Sequence, residues 1–201
     1  RAIANANSTP TSDVINFHPS LTGTILLTSG EIRIENNGSL EIRGPGANKV
    51  TVSGNNNSRI FFINNATVTI SGLTLWKGNG MGTGSSTVEK YGGAIYSNHD
   101  RNQGSLKLDR VEILQNAVTV PDGGGSRAIG GGVYYYGGLN HRIENSTFSF
   151  NESDFGAGFY SHGTMVITNS TFYGNDAKKL GGAMYAVADI KLRSTTITQN
   201  R

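Results

Sequence analysis

The chain has no cysteine, one tryptophan and four prolines in 201 residues, and only 15 % of its residues carry a charge. Without cysteine there is no disulfide framework, so the stapled type of small extracellular domain is excluded. The shortage of proline keeps strand interiors free of a residue that removes ladder donors. No apolar run approaches the ~20 residues of a membrane-crossing helix, so no membrane insertion by this segment is expected. The formal net charge is +3, with the Lys and Arg scattered. A nucleic-acid binder carries a dense basic stripe; none is seen, and no nucleic-acid partner is expected. The seven Asp and seven Glu are dispersed too.

What the chain has in excess is glycine, 28 residues, twice the usual ~7 %. Asn, Ser and Thr are abundant as well. These residues are poor in helix interiors and good at tight corners, so many short strands are predicted. The size fits one domain over residues 1–201.

Periodicity decides the architecture. Four segments share a Gly-rich lead into an apolar residue and a tyrosine: Gly92-Gly93-Ala94-Ile95-Tyr96, Gly130-Gly131-Gly132-Val133-Tyr134, Gly156-Ala157-Gly158-Phe159-Tyr160 and Gly181-Gly182-Ala183-Met184-Tyr185. The tyrosines are 38, 26 and 25 positions apart. Between them an apolar residue recurs with asparagine three places on: Ile113 and Asn116, Phe148 and Asn151, Phe172 and Asn175, Ile197 and Asn200. Before each lies a strand, a polar corner and another strand. In Leu106-Lys107-Leu108-Asp109-Arg110-Val111-Glu112-Ile113, the apolar residues point one way and Lys107 and Glu112 the other, the period of two that marks a strand.

About three short strands in about 25 residues, with no helix between them, predict an all-β right-handed parallel β-helix. One coil cannot bury its own apolar face. Stacking coils ~4.8 Å apart pairs each strand with its copies above and below and closes a core. Ile95, Val133, Phe159 and Met184 should then form one inward column, and Leu75, Ile113, Phe148, Phe172 and Ile197 another.

Residues 1–20 are read as an N-terminal cap, with Ala2 to Asn7 covering the open end of the core. Residues 21–75 form less regular coils, and 76–201 regular ones. Insertions at 80–90 and 117–128 fall at the same corner and should project side by side. They are a binding surface or tolerated loops. Both chain ends read as cuts from a longer chain.

These motifs resemble a known group. Gly-Gly-Ala-(Ile/Met) paired with Phe-x-x-Asn resembles the repeats of polymorphic outer-membrane protein autotransporters. Arg1 to Asn7, then Val14-Ile15-Asn16-Phe17, Gly44-Pro45-Gly46-Ala47 and Thr69 to Leu75, is similar to the CSLREA-type start of bacterial extracellular repeat proteins. Only Gly92–Ile95 and Gly181–Met184 match the first motif in full, and the insertions are not part of it. The resemblance implies the same fold, export and surface exposure. Its motifs are structural and carry no catalytic residue across.

The candidate site residues follow from the columns. Tyr96, Tyr134, Tyr160 and Tyr185 each follow an inward residue and should face outward as a row of exposed rings. With Tyr136 and Trp76 they are the candidate ligand-binding aromatics, able to hold sugar rings or to stabilise themselves as a ladder. The polar candidates are His99, Asp100 and Arg101 in one corner and Asp154 with His162 in another; none has a specific spacing, and the reading preferred for each is a solvated corner residue. Asp154 and Asp176 fall near equivalent corners of adjacent coils, where a weak calcium site is conceivable. No catalytic residue, metal set or other cofactor is assigned. Asn116, Asn151, Asn175 and Asn200, with Asn145 and Asn169, are read as structural corner residues.

The expected function is a non-enzymatic extracellular or cell-surface module, adhesin-like, with carbohydrate or protein as partner. A polysaccharide lyase or glycoside hydrolase of the pectate-lyase-like type is the first alternative, and a structural spacer the second.

Overall fold

The computed structural model describes residues 1–35, 38–82, 89–100, 103–120 and 127–201. The centres of both insertions therefore lie outside the described residues, as does Arg101.

The chain is a parallel β-helix. Three sheets run its length, and every pairing within them is parallel. The first stacks Ser12–Asn16, Ser39–Arg43, Thr67–Ser71, Ser105–Asp109, His141–Glu144, Met165–Thr168 and Ile190–Arg193. The second stacks Gly23–Leu26, Val50–Ser53, Thr74–Trp76, Glu112–Leu114, Thr147–Ser149, Thr171–Tyr173 and Thr196–Thr198. A third, shorter sheet joins from the third coil on: Glu89–Tyr91, Arg127–Ile129, Glu152–Phe155 and Asp176–Leu180. The fourth stacks Ile32–Glu35, Phe61–Asn64, Ile95–Asn98, Val133–Tyr136, Phe159–Ser161 and Met184–Ala186.

The two predicted core columns are in register. Ile95 pairs with Val133, Val133 with Phe159, and Phe159 with Met184. Leu75, Ile113, Phe148, Phe172 and Ile197 form the second. Most of these side chains are fully buried, and Phe148 and Phe172 stack with centroids 4.9 Å apart, the coil spacing. Ile197, in the last coil, is exposed.

The third sheet adds a fourth short strand to the three per coil expected. Its segments, such as Glu152-Ser153-Asp154-Phe155 and Asp176-Ala177-Lys178-Lys179-Leu180, are short and polar, so they lack the alternation that marks a strand. The insertions both return through this sheet: Arg127 pairs with Glu89 and Ile129 with Tyr91, so the two do re-enter the body side by side.

Corners are set by residues in left-handed conformation. Gly92, Gly130, Gly156 and Gly181 all have positive φ, between 59° and 77°, and a Cβ on Gly92 would lie 2.0 Å from the Ile95 carbonyl oxygen. That one position explains the glycine at the head of the repeated motif. At the next corner the asparagines form a buried ladder. Asn151 Nδ2 donates to Asn175 Oδ1 (2.8 Å) and to the Ile113 carbonyl (2.9 Å). Its Oδ1 accepts from the backbone N–H and side-chain amide of Asn116, both at 3.0 Å. Asn175 repeats the pattern with Asn200.

The helix Ala2–Asn7 is pinned to the edge of the fourth sheet. Asn7 Nδ2 donates to the Arg33 carbonyl, and the Glu35 N–H donates to Asn7 Oδ1. This occupies edge groups that would otherwise template another strand. It covers only part of the core's end: Val14, Ile25 and Leu26 remain exposed. Ser12–Asn16, placed in the cap by sequence, is already the first strand of the first sheet. Among the described residues no helix is long and apolar enough to cross a membrane.

Asn151→Ala strips buried partners from Asn116, Ile113 and Asn175, and is expected to cost about 2–4 kcal/mol in urea unfolding. Asn169→Ala, at an exposed corner, should cost less than about 1 kcal/mol. Equal losses at both positions would mean the ladder is not what holds the coils in register.

Candidate functional site

Along each strand of the fourth sheet inward and outward residues alternate, so its outer face carries two parallel columns. The first runs Arg33, Phe62, Tyr96, Tyr134, Tyr160, Tyr185. The second runs Glu35, Asn64, Asn98, Tyr136. The rings of the first follow one another at coil spacing: Phe62 to Tyr96 5.3 Å, Tyr96 to Tyr134 5.1 Å, Tyr134 to Tyr160 5.4 Å, Tyr160 to Tyr185 5.0 Å. The Arg33 guanidinium lies 4.3 Å from the Phe62 ring centroid and closes one end.

The left-handed glycines form the corner between third and fourth sheets. Tyr91 reaches across it from the third sheet and stacks on Tyr134 at 4.8 Å, and Phe155 meets Tyr185 edge-on at 6.4 Å. The expectation of a fully exposed row is therefore corrected. Tyr134 is only 5 % exposed, enclosed by Tyr91, Tyr96, Tyr160 and His162, while Tyr160 and Tyr185 are half-buried. Burial raises the pKa of the Tyr96, Tyr134 and Tyr160 phenols, so they remain protonated donors at neutral pH.

The structure brings several separate candidates to one place. His99, Asp100, Tyr136, Gly137 and His162 line an open depression of about 390 Å³ where the fourth sheet turns toward the first. Tyr136 is exposed, and its ring lies 5.3 Å from His162, which in turn lies 5.1 Å from Tyr160. The depression is thus continuous with the tyrosine row. Asp100 is held by Asn65: its backbone N–H donates to Asn65 Oδ1 (2.7 Å), and Asn65 Nδ2 donates to its Oδ2 (3.1 Å).

Behind the depression lies a buried imidazole pair. His99 and His141 have ring centroids 5.6 Å apart. His141 Nδ1 accepts from the Leu106 N–H (3.1 Å), which fixes the proton on Nε2, 2.8 Å from the Gly137 carbonyl. His99 Nε2 is 2.6 Å from Ser97 Oγ, and its backbone N–H donates to the Tyr136 carbonyl. Burial, with His141 beside it, pushes the His99 imidazole down to about 4, and Asp100 opposes this. Burial lowers His141 too, against the Gly137 carbonyl. His162 is lowered by burial alone.

The chain matches no family model, no curated protein and no solved structure.

The remaining candidates lie elsewhere. Trp76 is on the second sheet, its Nε1 donating to Gln115 Oε1 and its ring 4.1 Å from the Lys77 ammonium, so it is no part of the tyrosine row. Asp154 is on the third sheet, buried, accepting from Lys179 Nζ at 3.1 Å and from the Ala128 N–H. Asp176 is in register with Glu152, two positions before Asp154, so the two carboxylates expected near equivalent corners do not lie opposite each other. Among the described residues no three His, Asp or Glu side chains converge as metal ligands.

Sequence reasoning missed Phe62 and Arg33, whose strands lack the Gly-rich lead, and Tyr91, which follows an insertion. It also missed a buried ion pair under the row. Arg59 Nη1 meets Glu31 Oε2 at 2.5 Å, its Nη2 donates to the Gly80 carbonyl and its Nε to that of Tyr91. The guanidinium lies 5.2 Å from the Tyr96 ring centroid. It thus ties the edge of the first insertion and Tyr91 to the aromatic face.

Two predictions follow from these buried groups. His99 binds its proton more weakly folded than unfolded. Its contribution to stability is complete above about pH 6.5 and is lost as the pH falls to about 4, on the order of 1–3 kcal/mol. Denaturation across this range should show the decline in wild type and in His18→Gln, an exposed site, and a shallower one in His99→Gln. Arg59→Ala should cost about 3 kcal/mol in the same measurement and loosen the Tyr91–Tyr134 stack, seen as tyrosine fluorescence.

Proposed function

We propose that this chain is a non-enzymatic extracellular or cell-surface β-helix module of the adhesin type, whose ligand is carbohydrate held along the fourth sheet. The observation that carries the reading is the tyrosine row running unbroken into the depression at Tyr136 and His162. A sugar ring has one C–H face and a hydroxyl rim. The ring edges and hydroxyls of Tyr96, Tyr160 and Tyr185 recur at coil spacing, the edges offering apolar contact to the former and the hydroxyls bonds to the latter. A linear glycan lying along the helix axis would meet the half-buried Tyr96, Tyr160 and Tyr185, with Tyr134 enclosed among them. The resemblance to exported repeat proteins supports the location, and the uniformity of the columns supports binding over catalysis, since stacked copies of one residue do not supply an acid and a base.

A glycan array run beside a polysaccharide-degradation assay with calcium tests this. Binding without cleavage is expected, and a Tyr160→Ala/Tyr185→Ala double variant should bind about 10-fold more weakly while still unfolding cooperatively, at a midpoint lowered by loss of the stack. Cleavage of any bound polysaccharide would overturn the reading.

A further inference from the structure

We propose that the depression lined by His99, Asp100, Tyr136, Gly137 and His162 is a subsite for one uncharged hexopyranose unit, the anchoring end of the glycan chain; this rests on the carbohydrate reading above. Four observations converge on it. The first is an accessible aromatic wall. Tyr136 is 47 % exposed, the most open ring of the face, and it is braced by Tyr134 at 6.3 Å and His162 at 5.3 Å. A pyranose C–H face can lie against it without any ring having to move.

The second is a fixed acceptor. The two bonds with Asn65 hold Asp100 at the rim, and they use only one of its carboxylate oxygens. An ionised carboxylate accepts about four hydrogen bonds, so capacity remains for two adjacent sugar hydroxyls. Because the carboxylate is clamped beforehand, little ordering is left to do when a ligand arrives.

Size is the third. At about 390 Å³ the space is near the lower end for small-molecule pockets and suits one ring, not an oligomer. The rest of a chain would leave along Tyr160 and Tyr185, since His162 joins the depression to that row.

The fourth is charge, which selects the class of sugar. Among the described residues lining the depression, Asp100 is the one carboxylate, and none is Lys or Arg. His99 is neutral there because burial holds its pKa near 4, and burial lowers His162 as well. A uronate or sulfated ring would bring an anion against Asp100 with no cation among the described lining residues to offset it. The basic isoelectric point of the whole chain would suggest an acidic glycan; the local wall argues the opposite. No metal is needed, because the carboxylate acts directly as an acceptor.

Calorimetry with neutral hexose oligomers of gluco, manno and galacto configuration, beside oligogalacturonate of equal length, tests the subsite. At least one neutral oligomer should bind, unaffected by chelator, and oligogalacturonate should bind at least ~10-fold more weakly. Asp100→Asn and Tyr136→Ala should each weaken the neutral ligand by ~10-fold. Tyr136→Phe, which keeps the ring, should lose little and serves as the folded control. Preference for oligogalacturonate, or full affinity in Asp100→Asn while Tyr160→Ala is impaired, would overturn the subsite and leave the tyrosine face as the binding surface. Absence of binding by every oligomer, with a blank glycan array, would overturn both.

Discussion

Each coil lies on the next at the ~4.8 Å spacing of a parallel ladder, so every side chain has its structural equivalent directly above and below it. That constraint decides which residues the fold accepts. An apolar residue stacks on its equivalent without penalty, as Phe148 does on Phe172. A buried amide is also accepted, because asparagine is both donor and acceptor and can pass a hydrogen bond along the axis, as Asn116, Asn151, Asn175 and Asn200 do. A buried charge is not accepted in this way, since its equivalent would repel it, whereas on the outer face Lys107 lies in register with Arg142 and Asp109 with Glu144. The low charge content and the richness in asparagine are two consequences of one geometric fact.

The same constraint shapes the surface. Outward columns are also stacks, and tyrosine tolerates stacking while keeping a hydroxyl for the solvent side. Where the corner is convex such a column would be a plain ladder. Here Tyr91 and Phe155, on the third sheet, reach across the glycine corner and add a second wall. The Glu31–Arg59 pair sits under that wall and bonds the carbonyls of Gly80 and Tyr91, so the shape of the face depends on a buried charge contact in the earliest coils.

Legibility in the sequence followed repetition. The columns through Ile95 and Leu75, the corner asparagines and the outward tyrosines could be read because each residue type recurs at a near-constant interval. The third sheet could not, because Asp176-Ala177-Lys178-Lys179-Leu180 has no alternation and its pairing is enforced by the coils on either side. Glu31 and Arg59 are 28 positions apart with no copy elsewhere. Likewise, the closeness of His99 to His141, and of Tyr136 to His162, depends on how much chain each turn between fourth and first sheets contains. Local propensity does not encode that.

Those turns are the least regular part of the helix, and this bears on where a ligand site can arise. Between the fourth and first sheets the chain uses two residues after Asn64, six after Asn98, four after Tyr136 and three after Ser161. A solenoid with identical turns would present identical columns there as well, a surface suited to extended contact but unable to gather unlike groups. Unequal turns bring together residues that the stacking rule keeps apart: a carboxylate from one coil, a ring from the next, an imidazole from the one after. The depression at Asp100, Tyr136 and His162 lies where the repeat length fails, and in the proposed reading the regular face supplies area while this irregular corner supplies selectivity.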